Sequence, residues 1–209
     1  MGLGPDRLFD VPGSDLDGIH GAVDWIERMK LQQLDLSDVH RVAVIGGGNT
    51  AMDAMRETLG LGLGDVTLVY RGDETRMTGY RHEWAAAKSL MARAEWRAQP
   101  IAFEGEDGHV TAVRCAKLDA QKKPIEGEEV RIEADLVLLA IGQSKLGALF
   151  ADLDGIEVEW GRIVTDEDGC TGRPGWFAGG DAANGGKEVV NAAAEGKRAA
   201  HAIHVYLGA

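Results

Sequence analysis

The segment "VIGGGNTAMDAMR" carries the residues whose types and spacing best suit chemistry with a phosphate: Gly46, Gly47, Gly48, Asn49, Thr50 and Ala51. Gly46, Gly48 and Ala51 satisfy G-x-G-x-x-A, and each position has a steric reason. Gly46 permits a tight turn out of a strand. Gly48 removes the Cβ that would keep backbone away from a pyrophosphate, and Ala51 lets the next helix lie close to the sheet. The N–H groups of Gly47, Gly48, Asn49 and Thr50 then open a helix whose dipole favours anionic oxygens by about 0.3–2 kcal/mol. The fingerprint follows an apolar strand and precedes a helix inside a strand–helix–strand unit, the context in which it marks a dinucleotide site.

The end of the second strand bears on which dinucleotide binds. A site for NAD or FAD commonly places Asp or Glu there, to accept hydrogen bonds from the adenosine ribose. This chain reads "VYRGDETRM", with Arg71 directly after Tyr70 and Arg76 five residues on. Arginines at this point suit a 2′-phosphate, each charge-assisted contact contributing about 1.5–3 kcal/mol. The arginines favour NADP(H). Asp73 and Glu74 leave NAD(H) as the alternative, with the arginines then merely solvated.

A second segment, "WFAGGDAANGGKEVVNAAAEGKRAA", has the makings of half a nucleotide site. Two glycines follow a short strand ending at Ala178, and Asp181 offers a carboxylate to a hydroxyl. The next helix points its N-terminus at something electron-rich. A flavin satisfies both features, with Asp181 on the ribityl chain and the amides near Glu188, Val189 and Val190 on the ring edge that gains negative charge on reduction. A glycine-rich turn before a core helix is the competing reading.

The elements that must position these residues are legible from periodicity. Residues 1–17 have turn chemistry, and 18–33 read as a helix on the spacing of Ile19, Val23, Ile26 and Met29. Strands are expected at 41–45, 66–70, 95–102, 109–118, 129–134 and 136–141, with helices at 49–61 and 82–94. Apolar strands joined by helices of this length imply parallel βαβ pairing. The alternating "VTAVRCAKL" and "EEVRIEAD" suit an antiparallel hairpin on one edge. Beyond a brief strand in "GRIVT", a helix over 187–207 presents Val189, Ala193, Gly196, Ala200, Ile203 and Leu207 as a small-residue face suited to packing on a sheet.

Composition excludes several classes of function. A formal charge of −12, from 22 Lys and Arg against 34 Asp and Glu, argues against nucleic acid or an anionic membrane as partner. No apolar run approaches the roughly 20 residues that span a bilayer. The start "MGLGPDR" has neither a basic nor an apolar signal region, so a cytoplasmic location is expected. Cys115 and Cys170 form no C-x-x-C pair, which excludes a redox dithiol or a cysteine-ligated cluster within this chain. No lysine lies four residues after Tyr70, Tyr80 or Tyr206, and neither G-x-S-x-G nor H-E-x-x-H occurs. His201 and His204 have no ligand-type neighbours in sequence and read as surface residues; Glu83 reads as a first-turn helix acid.

Taken together, "VPGSDLDGIHGAVDWI", "VIGGGNTAMDAMR", "VYRGDETRMTGYRHE", "ADLVLLAIGQ" and "FAGGDAANGGKEVVNAAAEGKRAA" make the chain similar to flavin oxidoreductases of the glutamate synthase small-subunit type, and to the NADPH-binding part of dihydropyrimidine dehydrogenase. The motifs stand in the family's order over nearly the whole chain. The resemblance implies an α/β fold: a Rossmann-like parallel-sheet NAD(P)H domain at 39–142, flanked by an incomplete glutathione-reductase-like FAD domain at 1–38 and 143–209. It implies hydride transfer from NADP(H) or NAD(H) to FAD, with electrons passing on through iron–sulfur centres to a redox partner. Gly47–Thr50 would hold the dinucleotide pyrophosphate, Arg71 and Arg76 the adenosine phosphate, and Ala140, Ile141 and Gly142 a second turn over the nicotinamide nucleotide. Gly180, Asp181, Lys187, Glu188, Val189 and Val190 would contact FAD.

Two positions depart from the family pattern: Thr78 where proline is usual after Met77, and Gly72 where a second basic residue is usual. Nothing before residue 41 supplies the first glycine fingerprint of an FAD domain. The expectation is therefore a fragment or shortened gene product, a site completed by a separate subunit, or cover provided by homodimerisation. A non-catalytic dinucleotide-binding module without flavin is the alternative function.

Overall fold

A computed structural model of the chain describes residues 2–150 and 152–208. The chain divides into two compact units, Asp6–Gly142 and a second made of Met1–Pro5 with Gln143–Ala209. In the first unit, β1 (Ile19–Gly21) leads into α1 (Ala22–Lys30), β2 (Arg41–Gly46), α2 (Asn49–Gly60), β3 (Asp65–Tyr70), α3 (Arg81–Ser89) and β4 (Arg93–Trp96). Three longer strands follow, β5 (Ala98–Glu106), β6 (His109–Leu118) and β7 (Pro124–Glu133), and β8 (Leu136–Ala140) closes the unit. Five strands form a parallel sheet in the order β1-β8-β2-β3-β4. The expected α/β class with a parallel sheet is therefore present.

The sheet is covered on both faces, which is why its strands read as nearly continuous apolar runs. Alternate residues of β2 part company: Val42 and Val44 pack with Trp25, Met52, Met55 and Trp84 on the helical side. Ala43 and Ile45 pack with Phe103, Val113 and Cys115 on the other. That second layer is an antiparallel sheet in the order β5-β6-β7. The hairpin expected on one edge is thus part of a separate sheet lying over the face of the parallel one. The single strand expected at 95–102 breaks at Arg97, whose φ of 53° turns the chain between β4 and β5. The helix expected to run to residue 94 ends at Ser89, where Met91 takes a φ of 69°.

Residues 18–33 are not one helix. Ile19–Gly21 pair in parallel with Val137–Leu139, and helix begins only after the extended Gly21. Residues 6–38 accordingly group with the parallel sheet in the first compact unit.

The start of β2 is tied to the start of β8 by Asp135. Its Oδ2 accepts the N–H groups of Arg41 (2.9 Å) and His40 (3.2 Å), and its carboxylate also receives the Arg41 guanidinium. Burial by itself would raise the Asp135 pKa, but the hydrogen bonds from Arg41 and His40 outweigh it and hold the pKa below the ordinary value. A carboxyl depressed on folding contributes stability above its unfolded pKa of about 3.9 and loses it as pH falls through the lower folded value. Because Arg41 is more than a third exposed, the contribution is set at about 1 kcal/mol, the upper end for exposed pairs. Asp135→Asn should therefore lower the urea midpoint at pH 7, with the gap to wild type narrowing as pH falls below the ordinary carboxylate range. An Asp135→Asn midpoint equal to that of wild type at pH 7 would contradict this assignment.

The second unit is smaller and less regular. It contains a two-strand hairpin, β9 (Val158–Glu159) with β10 (Arg162–Ile163), a single turn α4 (Asp181–Asn184), and the long α5 (Val189–Tyr206). α5 does not pack through the expected stripe: Val189, Ala193, Gly196, Ala200, Ile203 and Leu207 are all exposed. Its packed side runs through Ala192, Glu195 and Ala199, which lie against Gly180, Gly179 and Gly169 so closely that a Cβ on each glycine would sit 3.2–3.4 Å away. The helix seats on glycines, and the stripe one residue round is left uncovered. Among the described residues, no helix is long and apolar enough to cross a membrane.

Candidate functional site

The first unit has a topological switch point in its parallel sheet. From β2 the chain proceeds to β3 and β4 on one side, while β8 and β1 lie on the other. The carboxyl ends of β2 and β8 therefore meet at the reversal of strand order, where open α/β sheets bind ligands. Gly46 pairs with Ala140 in that register. This brings together two groups separated by about ninety positions, the loop Gly46–Ala51 and the turn Ala140, Ile141 and Gly142. Gly46 has a φ of 149°, and a Cβ there would stand 2.3 Å from the Ala140 carbonyl oxygen. A Cβ on Gly47 would enter the ring of Tyr70 at 2.5 Å.

Gly48 differs from both. Its backbone is extended (φ −97°, ψ −175°), and the nearest atom to an added Cβ is Thr78 Oγ1 at 3.6 Å. Its lack of a side chain answers no internal crowding. It is the N-cap of α2 and provides no side-chain cap; its carbonyl accepts the N–H groups of Ala51 (3.1 Å) and Met52 (3.2 Å). The N–H groups of Gly47, Gly48, Asn49 and Thr50 find no acceptor among the described residues. Four orphan donors at the start of a twelve-residue helix, behind a position with no Cβ, form a cradle that suits a pyrophosphate.

A latch that sequence reasoning missed holds this loop. The Gly47 carbonyl accepts the N–H groups of Thr78 (3.0 Å) and Gly79 (2.9 Å), and Asn49 Oδ1 accepts the Tyr80 N–H (3.2 Å). Thr78 stands where the related pattern has proline, which has no N–H to donate. The signal lay in that departure: threonine supplies the bond that proline cannot. Behind the latch, Tyr70 packs edge-on to Trp96, and Trp96 edge-on to Trp84. Gly72 is explained by the same ring, since a Cβ there would meet Tyr70 at 2.7 Å.

The arginines and acids after β3 are sorted by their contacts. Asp73 accepts the Thr75 N–H (3.1 Å), capping the 3-10 turn Glu74–Arg76, and pairs with Arg97 at 3.5 Å. Hydrogen bonding from Thr75, with Arg97 adding to it, holds its pKa below the ordinary carboxylate value. Glu74 pairs with Lys88 at 2.8 Å, which lowers its pKa likewise. The Arg76 guanidinium donates to the Ala120 carbonyl at 3.4 Å. Arg71 is exposed, and its guanidinium has no partner among the described residues.

In the second unit, Gly180 takes a φ of 63° and its N–H donates to Glu195 at 2.7 Å. Asp181, half-buried, opens α4. The expected run Lys187–Val190 divides in two. The N–H groups of Lys187 and Glu188 are taken by the side chains of Asn184 (3.0 Å) and Asn191 (3.3 Å), the latter within a capping box. Those of Val189 and Val190 have no acceptor among the described residues. A separate cavity of about 290 Å³ in this unit, lined by Arg162, Asp166, Gly179, Glu195 and Arg198, also reaches Lys187.

Neither thiol is suited to nucleophilic or redox work. Burial pushes Cys115 up to about 12, and Cys170 is also raised, by burial and then by Asp166. Among the described residues no group of three or more His, Cys, Asp or Glu gathers to hold a metal. His201 and His204 are exposed on α5. Glu83 lies in the first turn of α3, as read, with Arg56 3.9 Å away.

A switch-point glycine loop in a parallel sheet points to a class of nucleotide-binding protein, and sequence comparison identifies the family. The pattern of the pyridine nucleotide-disulphide oxidoreductase family matches residues 1–196, and the chain belongs to that family. It is 35% identical to the AegA protein of Escherichia coli (strain K12), over 100% of this chain and 36% of that protein. It is 34% identical to the glutamate synthase [NADPH] small chain of Halomonas elongata, over 99% of this chain and 49% of the relative. The chain thus spans about a third to a half of the length of these relatives. Among solved structures, the thioredoxin reductase of T. acidophilum matches with a TM-score of 0.79 and 22% identity, over 100% of this chain and 64% of that one. This likeness establishes the fold.

Proposed function

We propose that the chain is the NAD(P)H-binding portion, with part of the FAD-binding portion, of an NAD(P)H-dependent flavin oxidoreductase of the glutamate synthase small-chain kind. The observation that carries the reading is the open Gly48 cradle with its four unpartnered N–H groups, placed where β2 and β8 part. When both cofactors are bound, they supply the chemistry, a hydride passing from a dihydronicotinamide to an oxidised flavin. The chain's residues bind and orient. Gly47–Thr50 hold the pyrophosphate by backbone N–H groups, and Gly142, open at the end of β8, leaves room beside it. Arg71 binds the adenosine 2′-phosphate with help from Arg76, so NADP(H) is preferred to NAD(H). Asp73 and Glu74, the candidates for an NAD ribose contact, are already engaged by Thr75, Arg97 and Lys88.

Gly180 and Asp181, with the free N–H groups of Val189 and Val190, suit the ribityl and ring edges of FAD. The uncovered stripe of α5 is the surface on which a further segment, a subunit or a second copy would complete that site. No side chain here needs to act as acid or base, consistent with the two raised thiols. Electrons would pass to a redox partner, an iron–sulfur protein or subunit, in the cytoplasm.

The test is reconstitution with FAD followed by anaerobic addition of NADPH. A yellow chain whose flavin absorbance bleaches with NADPH supports the flavin part, with Asp181 and the start of α5 holding flavin even without the completing segment. A chain that binds NADPH yet stays colourless with excess FAD would remove the flavin part for this chain and leave the dinucleotide part.

A further inference from the structure

The loop after β3 carries opposite charges at the place where a 2′-phosphate would be read. Arg71 and Arg76 would attract it, while Asp73 and Glu74 would repel it or accept a ribose hydroxyl in its stead. The outcome turns on what those two carboxylates are doing, and each is engaged by a base from outside the loop. Arg97 lies between β4 and β5 and is joined to the loop by more than its side chain. Its N–H donates to the Gly72 carbonyl (2.8 Å), and its carbonyl accepts the Leu118 N–H (2.7 Å). Its left-handed φ of 53° sets this arrangement, and its guanidinium reaches Asp73 at 3.5 Å. Lys88, in the last turn of α3, reaches Glu74 at 2.8 Å while lying 5.4 Å from the centre of the Trp84 ring.

Arg97 is therefore held at the junction of β4 and β5 and Lys88 by α3, neither of them by the loop. We propose that Arg97 and Lys88 are positioning residues that set coenzyme preference: by engaging Asp73 and Glu74 they cancel the acids that would favour NADH and leave Arg71 to read a 2′-phosphate. The inference rests on the reading of the glycine loop as a dinucleotide site. Neither residue touches the nucleotide in this account; each acts through a carboxylate. Exposed pairs of this kind are individually weak, so removal of one shifts preference by a modest factor, about fivefold.

The experiment is calorimetric titration of the whole chain with NADPH and with NADH at low salt. It compares wild type with Arg97→Gln, Lys88→Gln, Arg97→Lys and the double variant Arg97→Gln/Asp73→Asn. Each Gln variant is expected to lower the ratio of NADPH to NADH affinity about fivefold, mainly through weaker NADPH binding. Arg97→Lys should keep the ratio near that of wild type. The double variant should restore it, because asparagine still caps the turn but carries no charge. A merely structural role for Arg97 would reduce both affinities together, with no rescue by Asp73→Asn, and that result overturns the proposal. So does a wild type that prefers NADPH alongside Gln variants of unchanged ratio. A wild type that binds neither nucleotide overturns both this proposal and the reading beneath it.

Discussion

Arg71→Ala is expected to weaken NADPH binding by about 10- to 100-fold while leaving NADH within about twofold of wild type. The magnitude is that of one hydrogen-bonded contact to a charged group, about 1.5–3 kcal/mol, at about 1.4 kcal/mol per tenfold change. The selectivity follows from what surrounds the residue. Arg71 is exposed directly after β3 and has no competing partner among the described residues, so its charge is available to a ligand and its loss should not disturb the fold. Arg76 is less free, since its guanidinium donates to Ala120 and its carbonyl accepts the Tyr70 hydroxyl at 3.0 Å. Arg76→Ala should therefore have the smaller effect on NADPH. Parallel titrations with the two nucleotides decide the matter: equal losses for NADPH and NADH in Arg71→Ala would remove the assignment of a 2′-phosphate contact.

Two glycines two residues apart should respond to alanine in opposite ways. Gly46→Ala places a methyl group 2.3 Å from a backbone oxygen on a backbone with φ of 149°. Overpacking of this kind costs about 1–3 kcal/mol, and an unfavourable backbone region costs about 1–3 kcal/mol more. That variant should melt well below wild type, and lost binding would follow from lost structure. Gly48→Ala meets nothing closer than 3.6 Å on a backbone that any residue can adopt. Its penalty is confined to the weaker N-cap, about 1 kcal/mol or less. It should fold normally and yet lose NADPH affinity at least tenfold, because the methyl group stands where the pyrophosphate must approach the N–H groups. Thermal melts paired with titrations separate the two outcomes. Near-normal affinity in a folded Gly48→Ala chain would mean that the phosphates do not approach at this position.

Much of the site could be read directly in the chain, because close backbone approach and tight turns leave glycine few substitutes. The strand ending at Gly46, the helix from Asn49 and the strand ending at Tyr70 all fall within a residue of where their apolar spacing put them. What stayed hidden depends on contacts remote in sequence. Ile19 fits a helical period equally well, and only pairing with Val137 makes it a strand residue. The break at Arg97 has no glycine or proline to announce it. On α5, alanines at 192–194, 199, 200 and 202 make neighbouring stripes nearly equivalent in hydropathy. The choice between them falls to Gly169, Gly179 and Gly180, which lie outside the helix. Likewise, Asp73 and Glu74 look available in sequence and prove engaged only because the fold brings up Arg97 and Lys88.

The central claim is that backbone N–H groups around Gly48 grip the diphosphate of a pyridine coenzyme, and amide NMR reads those groups themselves. Spectra of ¹⁵N-labelled wild-type and Gly48→Ala chains should be recorded during titration with NADPH. Saturable shifts of the Gly47, Gly48, Asn49 and Thr50 amides, joined by Arg71 and muted in the Gly48→Ala chain, are the predicted result. Saturation that leaves those four amides unmoved while others shift would contradict the account.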